Sequence, residues 1–337
     1  MSENAIEITN LVKAYGSNRV LKEISFSVKK GEILGFLGLN GAGKSTTMNI
    51  ITGCISPSEG SVTVCGYDVL EEPQKVKAKI GYLPENPPLY FDMTVYEYLE
   101  FVYEIKGAQQ DRKAHLEEIM ERVQITHMRN RLIKNLSKGY KQRVGIAQAL
   151  VGDPEVLILD EPTVGLDPKQ IVEIRELIRS LGKNHTVILS THIMQEVSAV
   201  CDRVVIITSG TIVAQNTIKG LQEDDDARRE LLLRIKSGGN NPAGLIDSIP
   251  SVESVEETDS AEADSVQYRI TQCINKDARD EICKVLVENG YSILEIKPAA
   301  ASLEEIFIKY SSVNIQDTTD AESKDGILNR MVRRFKK

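Results

Sequence analysis

Gly38-Leu39-Asn40-Gly41-Ala42-Gly43-Lys44-Ser45-Thr46 decides how the rest of this chain is read. The apolar run before it, Ile33-Leu34-Gly35-Phe36-Leu37, reads as a buried strand. The residues after it, Thr47-Met48-Asn49-Ile50-Ile51, read as the first turns of a helix. Between a strand and a helix, the pattern G-x-x-x-x-G-K-[ST] is a phosphate loop. Its glycines let successive backbone N–H groups converge on one concavity, and the helix N-terminus adds partial positive charge. On this reading Gly38, Asn40, Gly41, Ala42, Gly43, Lys44, Ser45 and Thr46 surround the phosphates. Lys44 reaches the β- and γ-phosphates, and the Ser45 hydroxyl ligates Mg²⁺. The stretch predicts a nucleoside-triphosphate site.

The chain around it has 337 residues, room for one large domain and a smaller one. Its net charge of −8 argues against broad binding to a nucleic-acid backbone, so no nucleic-acid partner is expected. The five cysteines (Cys54, Cys65, Cys201, Cys273 and Cys283) form no C-x-x-C pair and sit in apolar segments, which predicts reduced, buried thiols. The first residues lack the basic and apolar regions of a secretory signal, and no apolar run approaches the roughly 20 residues of a membrane span. If the protein works at a membrane, another polypeptide supplies the spans.

Ile6-Glu7-Ile8-Thr9-Asn10-Leu11 and Ile24-Ser25-Phe26-Ser27-Val28 alternate as half-buried strands, with Tyr15 before a glycine turn between them. An aromatic there either packs or stacks on an adenine ring. Residues 86–136 carry a helical period. Thr94 and Glu97 have capping-box spacing, Val95, Leu99, Val102 and Ile105 are expected on one face, and Asp111 opens a second helix. Glu155-Val156-Leu157-Ile158-Leu159-Asp160-Glu161 describes a buried parallel strand that delivers two carboxylates at its C-terminal end, where ligands of open α/β sheets sit. Strand alternation would send those two carboxylates to opposite faces. Thr186-Val187-Ile188-Leu189-Ser190-Thr191-His192 is another such strand, ending in a histidine, and Val204–Ile207 with Thr211–Ala214 forms a closing hairpin.

The texture changes near Gly220. Strands and helices then follow in the order βαββαβ, the pattern of a ferredoxin-like module, with a further helix over 303–310. Residues 223–226 and 253–264 are acidic and read as solvated surface. Residues 311–325 read as a polar linker, and 327–335 as a basic amphipathic helix suited to an anionic membrane surface or an acidic groove. The predicted domains are therefore 1–220, with a helical subdomain at about 86–136, then 221–310 and 311–337. The fold class is α/β: a P-loop NTPase core with an antiparallel β subdomain and a helical subdomain, followed by a small α+β module.

Five motifs in register resemble the ATP-binding subunit of ABC transporters across roughly residues 4–220. Residues 38–46 are similar to its Walker A, and Ser137-Lys138-Gly139-Tyr140-Lys141-Gln142 to its LSGGQ signature. Residues 156–161 are similar to Walker B with its following glutamate, Leu166-Asp167 to the D-loop, and His192 to the switch histidine. The segment 302–307 resembles the C-terminal extension of exporter subunits that pair with a separate membrane protein. The resemblance implies an ATPase with ATP and Mg²⁺ as cofactors. Lys44, Glu161 and His192 would be catalytic, with Glu161 deprotonating the attacking water and His192 contacting the γ-phosphate and holding Glu161. Ser45, Asp160 and Glu85 would face the metal. Ser137 and Gly139 would meet the γ-phosphate bound by a second ATPase subunit, a homodimer being expected, and Tyr15 the adenine. A transmembrane permease subunit would hold the protein at the cytoplasmic face of the membrane as the motor of an exporter.

Two positions depart from the family pattern. Glu85 stands where the Q-loop glutamine is usual, and Lys138 and Tyr140 replace a glycine and the final glutamine of the signature pentapeptide. Two rival readings are a soluble ATPase of the same family acting on DNA or ribosomes, and a nucleotide-gated regulator using the C-terminal module as its effector. The single motif set, the short insertion and the acidic charge weigh against the first. Glu161 and His192 weigh against the second.

Overall fold

A computed structural model of the chain describes residues 3–222, 230–236, 241–258, 264–273, 276–298 and 307. The acidic run 223–226, the linker 311–325, the amphipathic tail and, apart from Phe307, the helix expected over 303–310 lie outside the described residues. The chain divides into two compact units, with the boundary between Ile218 and Lys219.

The first unit opens with β1 (Asn4–Tyr15), β2 (Asn18–Lys29) and β3 (Ile33–Leu37), then α1 (Lys44–Ile51), β4 (Glu59–Val64), β5 (Tyr67–Asp68), α2 (Pro73–Lys79) and β6 (Ile80–Leu83). The helical subdomain follows with α3 (Val95–Lys106) and α4 (Arg112–Arg122), and α5 (Lys138–Leu150) leads back to the sheet. The unit continues with β7 (Val156–Asp160), α6 (Pro168–Leu181), β8 (Thr186–Thr191), α7 (Met194–Val200), β9 (Arg203–Thr208) and β10 (Thr211–Thr217), and α8 (Ile218–Gln222) straddles the boundary.

Its strands form an antiparallel sheet in the order β2-β1-β4-β5 and a second sheet in the order β10-β9-β3-β8-β7-β6. The second sheet is parallel from β9 to β6, and only the β9–β10 hairpin is antiparallel. Every residue of β3, β7 and β8 is buried, as unbroken aliphatic runs require when helices or a second sheet cover both faces. The pleat then divides one strand between two cores. Leu157 and Leu159 of β7 pack with α3, α5 and α6, while Val156 and Ile158 pack with α1 and the antiparallel sheet.

The helical subdomain starts from a complete capping box: Thr94 Oγ1 accepts from the Glu97 N–H and a Glu97 carboxylate oxygen accepts from the Thr94 N–H at 2.8 Å. Val95, Leu99 and Val102 are buried as expected, but Ile105 is 68 % exposed. Ten residues along a helix of 3.6 per turn, Ile105 has rotated about 80° away from Val95. The next residue, Lys106, comes back into line, and its amine donates to Ala149 O and Val151 O at the end of α5. The cysteines also depart from expectation: Cys54 is exposed and the other four are only half-buried, all five as free thiols. An apolar neighbourhood in sequence does not fix which face a short polarisable side chain takes.

The second unit contains β11 (Glu230–Lys236), α9 (Ala243–Asp247), β12 (Val252–Thr258), β13 (Ser265–Gln272), α10 (Arg279–Glu288) and β14 (Ile293–Pro298). Its strands lie in the order β12-β13-β11-β14, every neighbouring pair antiparallel. Leu231, Leu233, Ile235, Tyr268 and Ile270 pack against Ile246, Ile282 and Leu286 from the helices. The edge strands β12 and β14 bear Glu253, Glu256, Glu257, Lys297 and Pro298.

Candidate nucleotide site

The site is built where β3, β7 and β8 end. β3 lies between β8 and β9 in the parallel sheet, so the loop leaving it emerges beside the ends of its neighbours. Gly38 donates to Thr191 O at 3.3 Å, and a Cβ on Gly38 would stand 2.6 Å from the backbone oxygen of Ile207. Only glycine fits between those two strands. Gly43 turns the chain into α1 with φ of 110°, a conformation that L side chains rarely adopt.

Lys44 is the first residue of α1 and is buried. Its ammonium donates to Gly38 O at 2.8 Å and lies 3.3 Å from Glu161 Oε1. A cation folded back over its own loop in this way is held by the Gly38 carbonyl and the Glu161 carboxylate, a place from which an anion would draw it. Ser45 is exposed on the same turn, beside Thr46, while Asn40 and Gly41 form the exposed tip and Ala42 is buried under it.

Asp160 ends β7 opposite Ser190 of β8 and is only 2 % exposed. Its Oδ1 is buried without a hydrogen-bond partner. Burial pushes this carboxyl above the usual carboxylate range. The Ser190 and Ser45 hydroxyls stand near enough to pull against that shift without closing a bond of normal geometry. A buried, under-coordinated carboxylate oxygen facing a serine hydroxyl is a hard oxygen donor set, and it fits Mg²⁺.

Glu161 does not continue the strand alternation. The strand ends at Asp160, and Glu161 has φ of 50°, with its N–H donating to Ser190 O at 2.8 Å. This left-handed turn, rather than the pleat, swings the side chain away from Asp160 and under His192. His192 Nδ1 lies 2.8 Å from Oε2 and 2.9 Å from Oε1 of Glu161. Burial raises the Glu161 carboxyl, but the His192 hydrogen bond and the Lys44 charge outweigh it and leave the group below its ordinary range. The same hydrogen bond to Glu161 raises the His192 imidazole above its ordinary value, against partial burial. Lys44, Glu161 and His192 therefore form one charge relay of cation, carboxylate and imidazole, in which Lys44 and Glu161 are buried and His192 is partly exposed.

Other residues expected at the site stand apart from this cluster. Ser137 caps α5, its Oγ accepting from the Tyr140 N–H at 3.4 Å, and Gly139 is buried against Gln170. Asp167 caps α6 in the same way, accepting from the Gln170 N–H at 2.9 Å. Tyr140 Oη meets His127 Nε2 at 3.1 Å. A groove of about 570 Å³ beside the starts of α5 and α6, lined by Gly139, Tyr140, Arg143, Asp167 and Gln170 among others, lies away from the phosphate loop. Tyr15 is exposed, with the Lys13 ammonium 5.0 Å from its ring centroid. Glu85 is exposed on the loop after β6. Among the described residues, no hydrogen bond or ion pair joins Ser137, Gly139, Tyr15 or Glu85 to Lys44, Asp160 or Glu161.

Sequence reasoning passed over Thr163, Thr191 and Glu196, which lie buried next to the relay. The available signal was Ser190-Thr191, two hydroxyls at the end of an otherwise aliphatic strand.

A family model described as ABC transporter matches residues 21–164. The bacitracin transport ATP-binding protein BcrA of Bacillus licheniformis is 35 % identical over 306 residues, which cover 90 % of this chain and 96 % of that protein. The linearmycin resistance ATP-binding protein LnrL of Bacillus subtilis is 33 % identical over 314 residues, 93 % of this chain and the whole of that protein. Among solved structures, a dimeric ATP-binding cassette in a post-hydrolysis state bound to ADP and Pi is similar with a TM-score of 0.58 and 28 % identity, over 63 % of this chain and 98 % of that one. The likeness to both Bacillus proteins, over 306 and 314 residues, reaches into both units.

Proposed function

The chain belongs to the ABC transporter family as an ATP-binding, ATP-hydrolysing subunit, and from that premise we propose that it drives an exporter through a separate permease, with Lys44, Glu161 and His192 as its catalytic groups. Subunits of this kind dimerise and work with a membrane protein. Among the described residues no helix is long and apolar enough to cross a membrane, so the reading needs a permease that holds this chain at the cytoplasmic face. One relative is named for bacitracin transport and another for linearmycin resistance, and these names support an outward direction.

One observation carries the assignment of roles: a single carboxylate, Glu161, lies within 3.3 Å of the loop lysine and 2.8 Å of the imidazole. In-line attack on a γ-phosphate needs charge neutralisation, a positioned water and a base. When the phosphates enter, backbone N–H groups of the loop and of the first turn of α1 cradle them, those of Gly38 and Ala42 being already bonded to Thr191 O and Leu39 O, and Lys44 exchanges Gly38 O for a phosphate oxygen. Glu161 then loses its cation. Its carboxylate becomes more basic and is free to accept a proton from water, while His192 keeps it oriented. Ser45 and Asp160 would hold Mg²⁺, which neutralises phosphate charge when bound, with Glu85 as an outer contact. Ser137 and Gly139, at the start of α5, would present N–H groups to the γ-phosphate held by the second subunit. Tyr15 would stack on the adenine.

The test is an affinity pull-down of Glu161→Gln from detergent-solubilised membranes with ATP and Mg²⁺, with Lys44→Ala as control. The glutamine variant traps an ATP-bound dimer and brings a polytopic membrane protein with it at comparable stoichiometry, whereas the alanine variant does not. An ATP-dependent dimer that recovers only soluble partners would overturn the motor reading in favour of a nucleotide-gated regulator.

A further inference from the structure

A second hydrogen-bonded bridge runs behind the relay. Glu196, in the first turn of α7, is 1 % exposed. One of its carboxylate oxygens accepts from the Thr163 hydroxyl, and the other accepts from Thr191 Oγ1 at 2.8 Å. Thr163 stands two residues after Glu161, across Pro162, and Thr191 immediately precedes His192. Each arm of the bridge therefore ends next to one member of the Glu161–His192 pair. Thr191 Oγ1 also accepts from the Ile193 N–H at 3.1 Å, which fixes the turn that carries His192 out of β8.

A carboxylate at this depth is expensive unless its oxygens are bonded, and an apolar side chain would fill the space at less cost. Burial indeed pushes the Glu196 carboxyl above the usual range, against the two hydroxyls and the charge of Arg175. The group touches no residue of the phosphate loop by hydrogen bond or ion pair. Its two partners have one thing in common, namely their adjacency to the two halves of the relay. We propose that Glu196 is a positioning residue: by clamping Thr163 to Thr191 it sets the separation of Glu161 and His192, so the hydrolytic geometry survives when the phosphates draw Lys44 away. The proposal rests on the assignment of Glu161 as base.

Clamping acts on the chemical step and leaves nucleotide binding alone, so the two kinetic parameters separate. Glu196→Ala cuts both arms. It is expected to lower kcat by about 10- to 100-fold, the range of a roughly 1 Å misplacement, with KM for ATP held within about twofold. Glu196→Gln keeps both arms, because the amide accepts from one threonine and donates to the other after its hydroxyl rotates, and it is expected to restore kcat to within about threefold of wild type. Thr163→Val leaves the carboxylate in place and cuts one arm, so it reports on the bridge even if the alanine variant fails to fold. It is expected to lower kcat about tenfold at unchanged KM.

The background decides what the losses mean. In Glu161→Gln the base is absent, and removing the clamp as well should subtract nothing further from the residual rate. Glu161→Gln retaining wild-type turnover would remove the assignment of the base itself. The clamp is overturned separately if Glu196→Ala and Thr163→Val keep wild-type kcat, if their losses appear in KM, if Glu196→Gln is as impaired as alanine, or if the losses persist undiminished in the Glu161→Gln background.

Discussion

Replacing Glu161 by glutamine should tighten binding of an uncleavable ATP analogue, apart from abolishing turnover. In the structure the Lys44 ammonium and the Glu161 carboxylate are both 6 % exposed and 3.3 Å apart. At an effective dielectric of about 20, two unit charges at that distance attract by about 5 kcal/mol. An entering γ-phosphate replaces this attraction for the lysine. It does not replace it for the glutamate, which is left beside a new negative charge at similar range. Glutamine removes both penalties while keeping the shape of the side chain. If solvent, His192 and the metal screen three-quarters of the 5 kcal/mol, about 1.3 kcal/mol remains, close to a tenfold gain in affinity. The assay is calorimetric titration of wild type and variant with the β,γ-imido analogue and Mg²⁺. ADP serves as control, since it lacks the γ-phosphate and should show a smaller gain. Equal affinities of the two proteins for the analogue, or an equal gain for ADP, would refute the reasoning.

The relay also predicts a pH profile. Glu161 titrates below its ordinary range and His192 above its own, so the charged pair persists from acid conditions to beyond the usual imidazole pKa. The His192 contribution to stability is fully present below pH 6.5, the unfolded value, and is lost as pH rises through its raised folded value. The Glu161 contribution is present above the usual carboxylate pKa and is lost as pH falls through its lowered one. His192→Ala should therefore abolish the alkaline loss of stability, read as Tm against pH, and move the acid limb of kcat upward, read from a pH–rate series; an unchanged acid limb would count against the pair. Gly38→Ala places a methyl 2.6 Å from Ile207 O, a backbone atom that cannot step aside, so the loop must shift. The expectation is at least a tenfold loss of ATP affinity (about 1.4 kcal/mol) with a lowered Tm, checked by titration and thermal unfolding.

Much of this arrangement was legible in the linear chain because each part carries its own local rule. The phosphate loop is a contiguous string whose glycines, lysine and flanking strand and helix are neighbours in sequence. β7 and β8 announce themselves by aliphatic runs that only a doubly covered parallel strand tolerates, and Thr94 with Glu97 by its cap. What stayed hidden depends on where two distant segments meet. The turn at Glu161 arises where β7 stops against Ser190 O, so a rule of strand alternation aimed the carboxylate wrongly. Lys106, not Ile105, turns toward α5, because its amine can reach the carbonyls of Ala149 and Val151. Glu196 reads as an ordinary acidic residue in a helix's first turn until the β7–β8 register brings Thr163 and Thr191 to it. Glu85, Ser137 and Gly139 were chosen by motif and Tyr15 by its place before a glycine turn, and no bond within a single chain ties them to the charged cluster.

The edges of the small sheet in the second unit carry a consequence for how the protein survives crowding. An open edge is a row of unpaired amides, a template on which another strand can grow. β12 exposes Glu253, Glu256 and Glu257 along one such edge, and β14 closes the other with Lys297 and Pro298. Two copies meeting β12 to β12 would set six carboxylates against each other, and a strand arriving at the end of β14 finds a residue with no N–H to offer. Among the described strands, growth of a ribbon is thereby disfavoured along β12 and at the end of β14.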